Sequence, residues 1–231
     1  MPLILYIDTS LELASVFIAK GGDILSIEMN NNPKTHSAFI HLAIKKLLFD
    51  TKLFLNQIDA LAIINGPGSY TGVRVGLASA KGICFALNKP LIVLNNLKVI
   101  AFASVLYLKN NFYELSNALI CPMIDARRME VFTALFEIDL KFKLVPQALI
   151  VNDETFSNEL KSSKIYFCGN GSFKMKSILN HLNANFIDDL SSSFYDSIIK
   201  LAYKSFLDND FQNVDYVSPF YLKNVFVHTK K

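Results

Sequence analysis

Three groups of residues in this 231-residue chain have types and spacings that could carry chemistry. The first is a pair of acidic turns, Ile7-Asp8-Thr9-Ser10 and Ile124-Asp125-Ala126-Arg127, each placing a carboxylate at the end of an apolar run. Asp8 could act as a metal-linked acid beside a phosphate, with Thr9 and Ser10 holding its oxygens. The same groups could equally bond the N–H groups of their own turn. The second group is glycine-rich: Gly66-Pro67-Gly68-Ser69-Tyr70-Thr71-Gly72-Val73-Arg74-Val75-Gly76, and Gly169-Asn170-Gly171-Ser172-Phe173. Between a strand and a helix, such a loop exposes backbone donors that favour an anion, and its missing β-carbons admit a ligand or a second backbone. A tight turn needs the same residues. The third group is the arginines. Arg74, Arg127 and Arg128 are the only ones among 23 cations, and each lies beside one of these loops. A planar guanidinium makes two-pronged contacts with carboxylate or phosphate that lysine cannot copy. Near a helix start, Arg74 opposes the dipole preference, which favours an anionic partner. Arg127 and Arg128 have Glu130 or Glu12 as partners within reach of the fold.

Spacing excludes several chemistries. A phosphate-binding P-loop needs Lys and then Ser or Thr after its last glycine, and Gly72 is followed by Val73 and Arg74; the dinucleotide fingerprint needs a glycine where Thr71 stands. His36 and His41 are five residues apart. At about 100° per residue they point away from each other on a helix, which argues against a shared metal. His181 and His228 are isolated, and Cys84, Cys121 and Cys168 sit singly in apolar segments as expected of reduced core thiols. No general base accompanies Asp8. The expected metal set is therefore none, and the expected catalytic set is none.

The elements that must position these groups alternate in type. Strands are expected over 3–7, 14–19 and 24–29, with a Gly21-Gly22 turn between the last two. A helix opened by Pro33 and Thr35 should bury Phe39, Ile40, Ala43, Ile44, Leu47 and Leu48. The strand over 58–64 enters the glycine loop, and Ser69 or Thr71 can cap a helix carrying Val73, Leu77, Ala80, Cys84 and Leu87. Gly72, Gly76, Ala78, Ser79, Ala80 and Gly82 would let another helix approach that one closely. A strand over 91–94 and a helix over 97–108 follow. A 52% hydrophobic content with 19% charged residues indicates a compact globular chain. No apolar run approaches the roughly 18 residues of a membrane span, and the N-terminal run lacks a signal-peptide pattern, so a cytoplasmic protein is expected. A net charge of +3 announces no nucleic-acid surface, and the Lys230-Lys231 tail is short.

The second half repeats the first. The acidic turns lie 117 residues apart and the glycine turns 103 apart, in the same order. Two α/β lobes of related topology are expected, 1–105 and 106–231, with Asp8 and Asp125 facing one cleft. The helix over 195–207 should close the second lobe, and residues 210–231 should pack back on the first.

This duplication resembles the acetate-kinase, actin and chaperone ATPase superfamily, a fold of two lobes each with a mixed sheet and helices. The glycine motif, the two Asp turns and Pro219-Phe220-Tyr221-Leu222-Lys223-Asn224 together resemble the TsaB (YeaZ) family over nearly the whole chain. One departure is Met129, where that family places glycine after Asp-Ala-Arg-Arg. The resemblance implies a non-catalytic subunit needed for N6-threonylcarbamoyladenosine beside the anticodon of tRNAs reading codons that begin with A. It implies pairing with a TsaD-like transferase, joined by a TsaE-like ATPase, a homodimer when alone, and contact with tRNA that is at most indirect. No cofactor of its own is implied, with ATP or ADP at most at the boundary with a partner. The vestigial nucleotide cleft maps to Asp8, Thr9, Ser10, Gly169 and Gly171. The partner interface maps to two first-lobe helices, through His36, Phe39, Ile40, Gly72, Arg74, Gly76 and Ala80. Gly66, Pro67, Gly68, Ser69, Tyr70 and Thr71 form the loop that enters the second of these helices. A small-molecule kinase or ATPase of the same fold is the alternative, and a metallopeptidase a more distant one.

Overall fold

The computed structural model describes residues 1–223, so the expectations placed on Asn224, His228, Lys230 and Lys231 lie outside the described residues. The chain runs β1 (Leu3–Asp8), β2 (Ala14–Lys20), β3 (Asp23–Asn30), α1 (His36–Thr51), β4 (Ala60–Ile64), α2 (Tyr70–Leu87), β5 (Leu91–Leu94) and α3 (Asn96–Asn110). It continues through β6 (Ala118–Asp125), β7 (Glu130–Glu137), β8 (Phe142–Ile150), α4 (Ser157–Leu160), β9 (Lys164–Cys168), α5 (Ser172–Lys176), β10 (Ala184–Ile187) and α6 (Ser191–Leu207). Two five-stranded sheets result, ordered β3-β2-β1-β4-β5 and β10-β9-β6-β7-β8. Reversing the second order makes β6 equivalent to β1 and β9 to β4, which is the duplication expected from the paired turns. Within each sheet the first strand pairs antiparallel with its hairpin partner and parallel with the strand that precedes the glycine turn.

Alternation sorts the core. Leu5 and Ile7 of β1 pack under α1 and α2, while Ile4 and Tyr6 face the other side, where Tyr6 stacks on Phe17 with ring centroids 4.4 Å apart. In the second sheet Ile120 and Ile124 face α3, whereas Cys121 and Met123 face Phe156 and Met175.

Three expectations need correction. Sequence reading passed over β8 and β10, both at a sheet edge, where half-exposed residues and Pro146 blur the strand pattern. A division at 105 falls inside α3. That helix follows the first sheet yet puts Leu97, Ile100, Ala101 and Leu108 against the second. Its counterpart α6 does the reverse: Ile198, Ile199 and Ala202 cover the first sheet, so α6 closes the first lobe and not the second. The segment after α6 does return to the first lobe. Gln212 N donates to Leu91 O, Phe220 N to Asn65 O, and Asn65 Nδ2 to Ser218 O. No helix among the described residues is long and apolar enough to cross a membrane.

Candidate functional site

At the end of β1, Asp8, Thr9 and Ser10 are all buried, and Asp8 Oδ1 and the two hydroxyls are engaged within the chain. Ser10 donates to Asp8 Oδ1 from its N–H at 2.9 Å and from its hydroxyl at 2.6 Å. Thr9 Oγ1 donates to Gly72 O at 2.7 Å. Asn96, fully buried at the start of α3, donates to Ser10 Oγ at 2.9 Å and to Pro67 O at 3.1 Å. Burial pushes the Asp8 carboxyl up, and the Ser10 bonds and nearby His36 only partly oppose this.

The long glycine loop closes onto this turn. Ser69 N donates to Ser10 O at 2.7 Å, and the Ser69 hydroxyl caps α2 by accepting from Gly72 N, as the sequence suggested for Ser69 or Thr71. A β-carbon at Gly68 would collide with Ser10 O, and one at Gly72 with Thr9 O. Gly76 likewise faces Thr9 Oγ1 and Ile63. These glycines therefore permit close approach between α2 and the chain's own β1 turn. The Gly66–Pro67 peptide is cis, and Gly66 O accepts from Asn96 N. The second glycine turn has the same role, since β-carbons at Gly169 and Gly171 would meet Met123 O and the Ile124–Asp125 backbone.

Asp125 is more open than Asp8. Its Oδ1 accepts from Lys174 Nζ at 2.7 Å and from Arg127 N at 2.6 Å, and Lys174 Nζ, itself buried, also reaches Glu130 O at 2.8 Å. Burial raises the Asp125 carboxyl, but these two donors outweigh it and hold it below the ordinary carboxylate value. Neither Arg127 nor Arg128 forms an ion pair among the described residues, and Glu130 pairs instead with Lys223 at 2.5 Å. The Arg127-Arg128 pair takes left-handed backbone angles, φ 70° and 47°, which makes the turn without glycine at position 129. Sequence reasoning missed Lys174, an ordinary lysine of a short helix, and Asn96, whose one hint was the Asn95-Asn96 pair at a helix start. The three thiols are free and buried; burial pushes Cys84 and Cys168 up to about 12 and Cys121 higher still.

The expected partner residues divide differently. Gly72, Gly76 and Ala80 are buried toward β1 and β4, Ile40 lies in the first-lobe core, and His36 is buried with Nε2 3.3 Å from Leu11 O. All five are buried within the lobe. Phe39 is half-buried and Arg74 is exposed. His41, far from His36 in its surroundings, lies 3.4 Å from Ser79 Oγ. Among the described residues no cluster of three or more His, Cys, Asp or Glu is placed to hold a metal.

The outer face of the same two helices is a different surface. A groove of about 490 Å³ runs between α1 and α2, lined by His41, Leu55, Ala78, Ser79, Gly82 and Ile83. A β-carbon at Gly82 would meet nothing within 4 Å, unlike those of the other α2 glycines. Leu42, Phe49 and Phe85 stand 68%, 82% and 78% exposed on this face. Large apolar side chains left in water on adjoining helices mark an interaction surface.

Comparison with known proteins places these features in context. Residues 25–208 match the family model described as TsaD, tRNA N6-adenosine threonylcarbamoyltransferase. The chain is 38% identical over 130 residues to the tRNA threonylcarbamoyladenosine biosynthesis protein TsaB of Haemophilus influenzae, covering 56% of this chain and 51% of that one. It is 32% identical over 136 residues to TsaB of Escherichia coli, covering 59% and 55%. The chain thus spans about half the length of the curated relatives it matches. In fold it is similar to the structure named YeaZ from Pseudomonas aeruginosa, with TM-score 0.74, 20% identity, and 96% and 100% of the two chains covered.

Proposed function

Because this chain belongs to the TsaD-type threonylcarbamoyltransferase family, and within it to the TsaB (YeaZ) branch, we propose that it is a non-catalytic subunit in N6-threonylcarbamoyladenosine formation on tRNA. In this reading it supports a TsaD-like catalytic subunit in the cytoplasm, with a TsaE-like ATPase joining the pair. One observation carries the choice: the apolar α1–α2 face is open, while the acidic turn that a catalyst of this fold would use is closed. Asp8 is buried, with both Ser10 donors on one of its oxygens. Thr9 and Ser10 are committed to the chain's own backbone and side chains, so a vestigial nucleotide cleft at Asp8, Thr9 and Ser10 is not favoured. ATP or ADP, in this proposal, sits at the boundary with a partner. In the absence of that partner a second copy covers the same face, forming a homodimer.

The test is depletion of the chain from its native cell, with the modified nucleoside measured by mass spectrometry of digested tRNA. Loss of the modification, restored by the wild-type chain and by Asp8→Asn, is expected. Persistence of the modification, or failure of Asp8→Asn to restore it, would overturn the non-catalytic assignment.

A further inference from the structure

Arg74 is exposed on α2, and its guanidinium is held before any partner arrives. Its Cζ lies 3.8 Å from the centre of the Tyr70 ring, and its Nε donates to the Tyr221 hydroxyl at 2.5 Å. The two tyrosine rings pack against each other with centroids 5.2 Å apart, so the clamp joins the start of α2 to the returning C-terminal segment. Among the described residues Arg74 makes no ion pair and no hydrogen bond beyond that to Tyr221, which leaves the outer fork of the guanidinium open. A fork already fixed by stacking loses little side-chain freedom when it takes up an acceptor.

Position says what kind of acceptor. Arg74, Ala78 and Phe85 lie on one stripe of α2 at helical spacing, beside the groove floored by Gly82. α1 and α2 carry Lys45, Lys46, Arg74 and Lys81 against a single carboxylate, Asp50. Lys46 is paired with Glu28 at 2.6 Å, and Lys81 Nζ is held by the carbonyls of Asp215 and Val217. The face is therefore an apolar groove with a positive edge at Arg74, complementary to a protein surface with an acidic edge. A run of phosphates would call for further free cations along the stripe, where Ala78 and Phe85 stand instead. A second copy offers only Asp50, at the C-terminal end of α1. It would also set its own Lys45, Arg74 and Lys81 against the same cations here, with that one carboxylate to offset them.

We propose that Arg74, clamped by Tyr70 and Tyr221, is a preformed receptor for a carboxylate on the partner subunit that covers the α1–α2 face, and that this contact selects that partner. The inference rests on the partner-subunit reading above and adds the chemistry of the contact. Arginine and tyrosine are among the residue types enriched at binding hot spots of protein interfaces.

The experiment measures affinity for the TsaD-type subunit of the same cell by sedimentation and calorimetry, with the full chain. Arg74→Gln is expected to weaken binding about 10- to 100-fold, and Arg74→Lys, which keeps the charge but loses the fork, by at least about tenfold. Added salt should weaken the wild type more steeply than Arg74→Gln. Melting curves of the variants check that the exposed substitutions leave the fold intact. Gly82→Trp, which fills the groove without touching the clamp, should abolish binding. If Gly82→Trp abolishes binding and Arg74→Gln does not weaken it, the carboxylate receptor is overturned while the partner face stands. If neither variant weakens binding, or the wild type does not bind, both fall. Unchanged partner affinity with weaker binding of a tRNA anticodon stem-loop would assign the fork to phosphate. Arg74→Gln and Asp50→Asn acting equally on the homodimer, with the heterodimer unaffected, would assign it to a second copy. Either result overturns the proposal.

Discussion

Asp8 is buried, and both Ser10 donors converge on one of its oxygens. Burial raises its carboxyl above the ordinary value. A carboxyl raised on folding binds its proton more tightly in the native state, so its contribution to stability is fully present below the unfolded value and is lost as pH rises through the folded value. Asp8→Asn keeps an acceptor for Ser10 without a charge. Its melting midpoint should therefore gain on the wild type as pH is raised from about 4 to about 8, and parallel midpoints across that range would contradict the assignment. Ser69→Ala removes the α2 cap at Gly72 N, a loss of about 1 kcal/mol, which thermal unfolding should register as a fall of roughly 2–4 °C. The acidic turns and the cap were legible because each is local: a short polar side chain next to an apolar run has few nearby donors to choose from. Lys174 was not. Its ammonium reaches Asp125 across 49 residues of chain, and nothing in the sequence near either one marks the pair.

At the scale of elements, α2 carries glycines of two kinds. Gly72 and Gly76 lie against the β1 turn, while Gly82 faces open space. Gly72→Ala should cost about 3 kcal/mol or more, because the added carbon meets the rigid Thr9 backbone, and urea unfolding should show the loss. Gly82→Ala should be neutral or slightly stabilising, since alanine is the better helix former by about 1 kcal/mol. Equal effects at the two positions would refute this division. Gly76→Leu, whose side chain would meet Thr9 Oγ1 and Ile63, should unfold the lobe. The small residues of α2 show that something approaches the helix closely, but a period of about 3.6 residues does not say which side of the helix meets the sheet. His36, Ile40, Gly72, Gly76 and Ala80, expected on the partner side, are buried within the lobe.

In the whole molecule the equivalent helices α3 and α6 are exchanged between lobes, and each covers the other lobe's sheet. A fragment ending near residue 110 lacks the α6 wall formed by Ile198, Ile199 and Ala202, leaving Ile4, Tyr6 and Ile92 exposed. It should aggregate or show no cooperative melting, and co-expression with the remaining half should restore a soluble pair. A fragment that melts cooperatively alone would show that the first lobe is self-sufficient. The C-terminal segment adds a second tie, from Tyr221 at Arg74 on the first lobe to Lys223 at Glu130 on the second.

The elements of the first half, the duplication and the family resemblance were legible in the sequence itself, because strand alternation, glycine turns and paired acidic turns are short-range patterns that survive without neighbours, whereas the edge strands β8 and β10 were not. Tertiary structure alone decided three things: that the glycines serve the chain's own β1 turn, that α6 belongs to the first sheet, and that Arg74 is clamped between Tyr70 and Tyr221. Each depends on residues distant in sequence meeting in space, and the pattern of one segment carries no information about which surface another will bring to it.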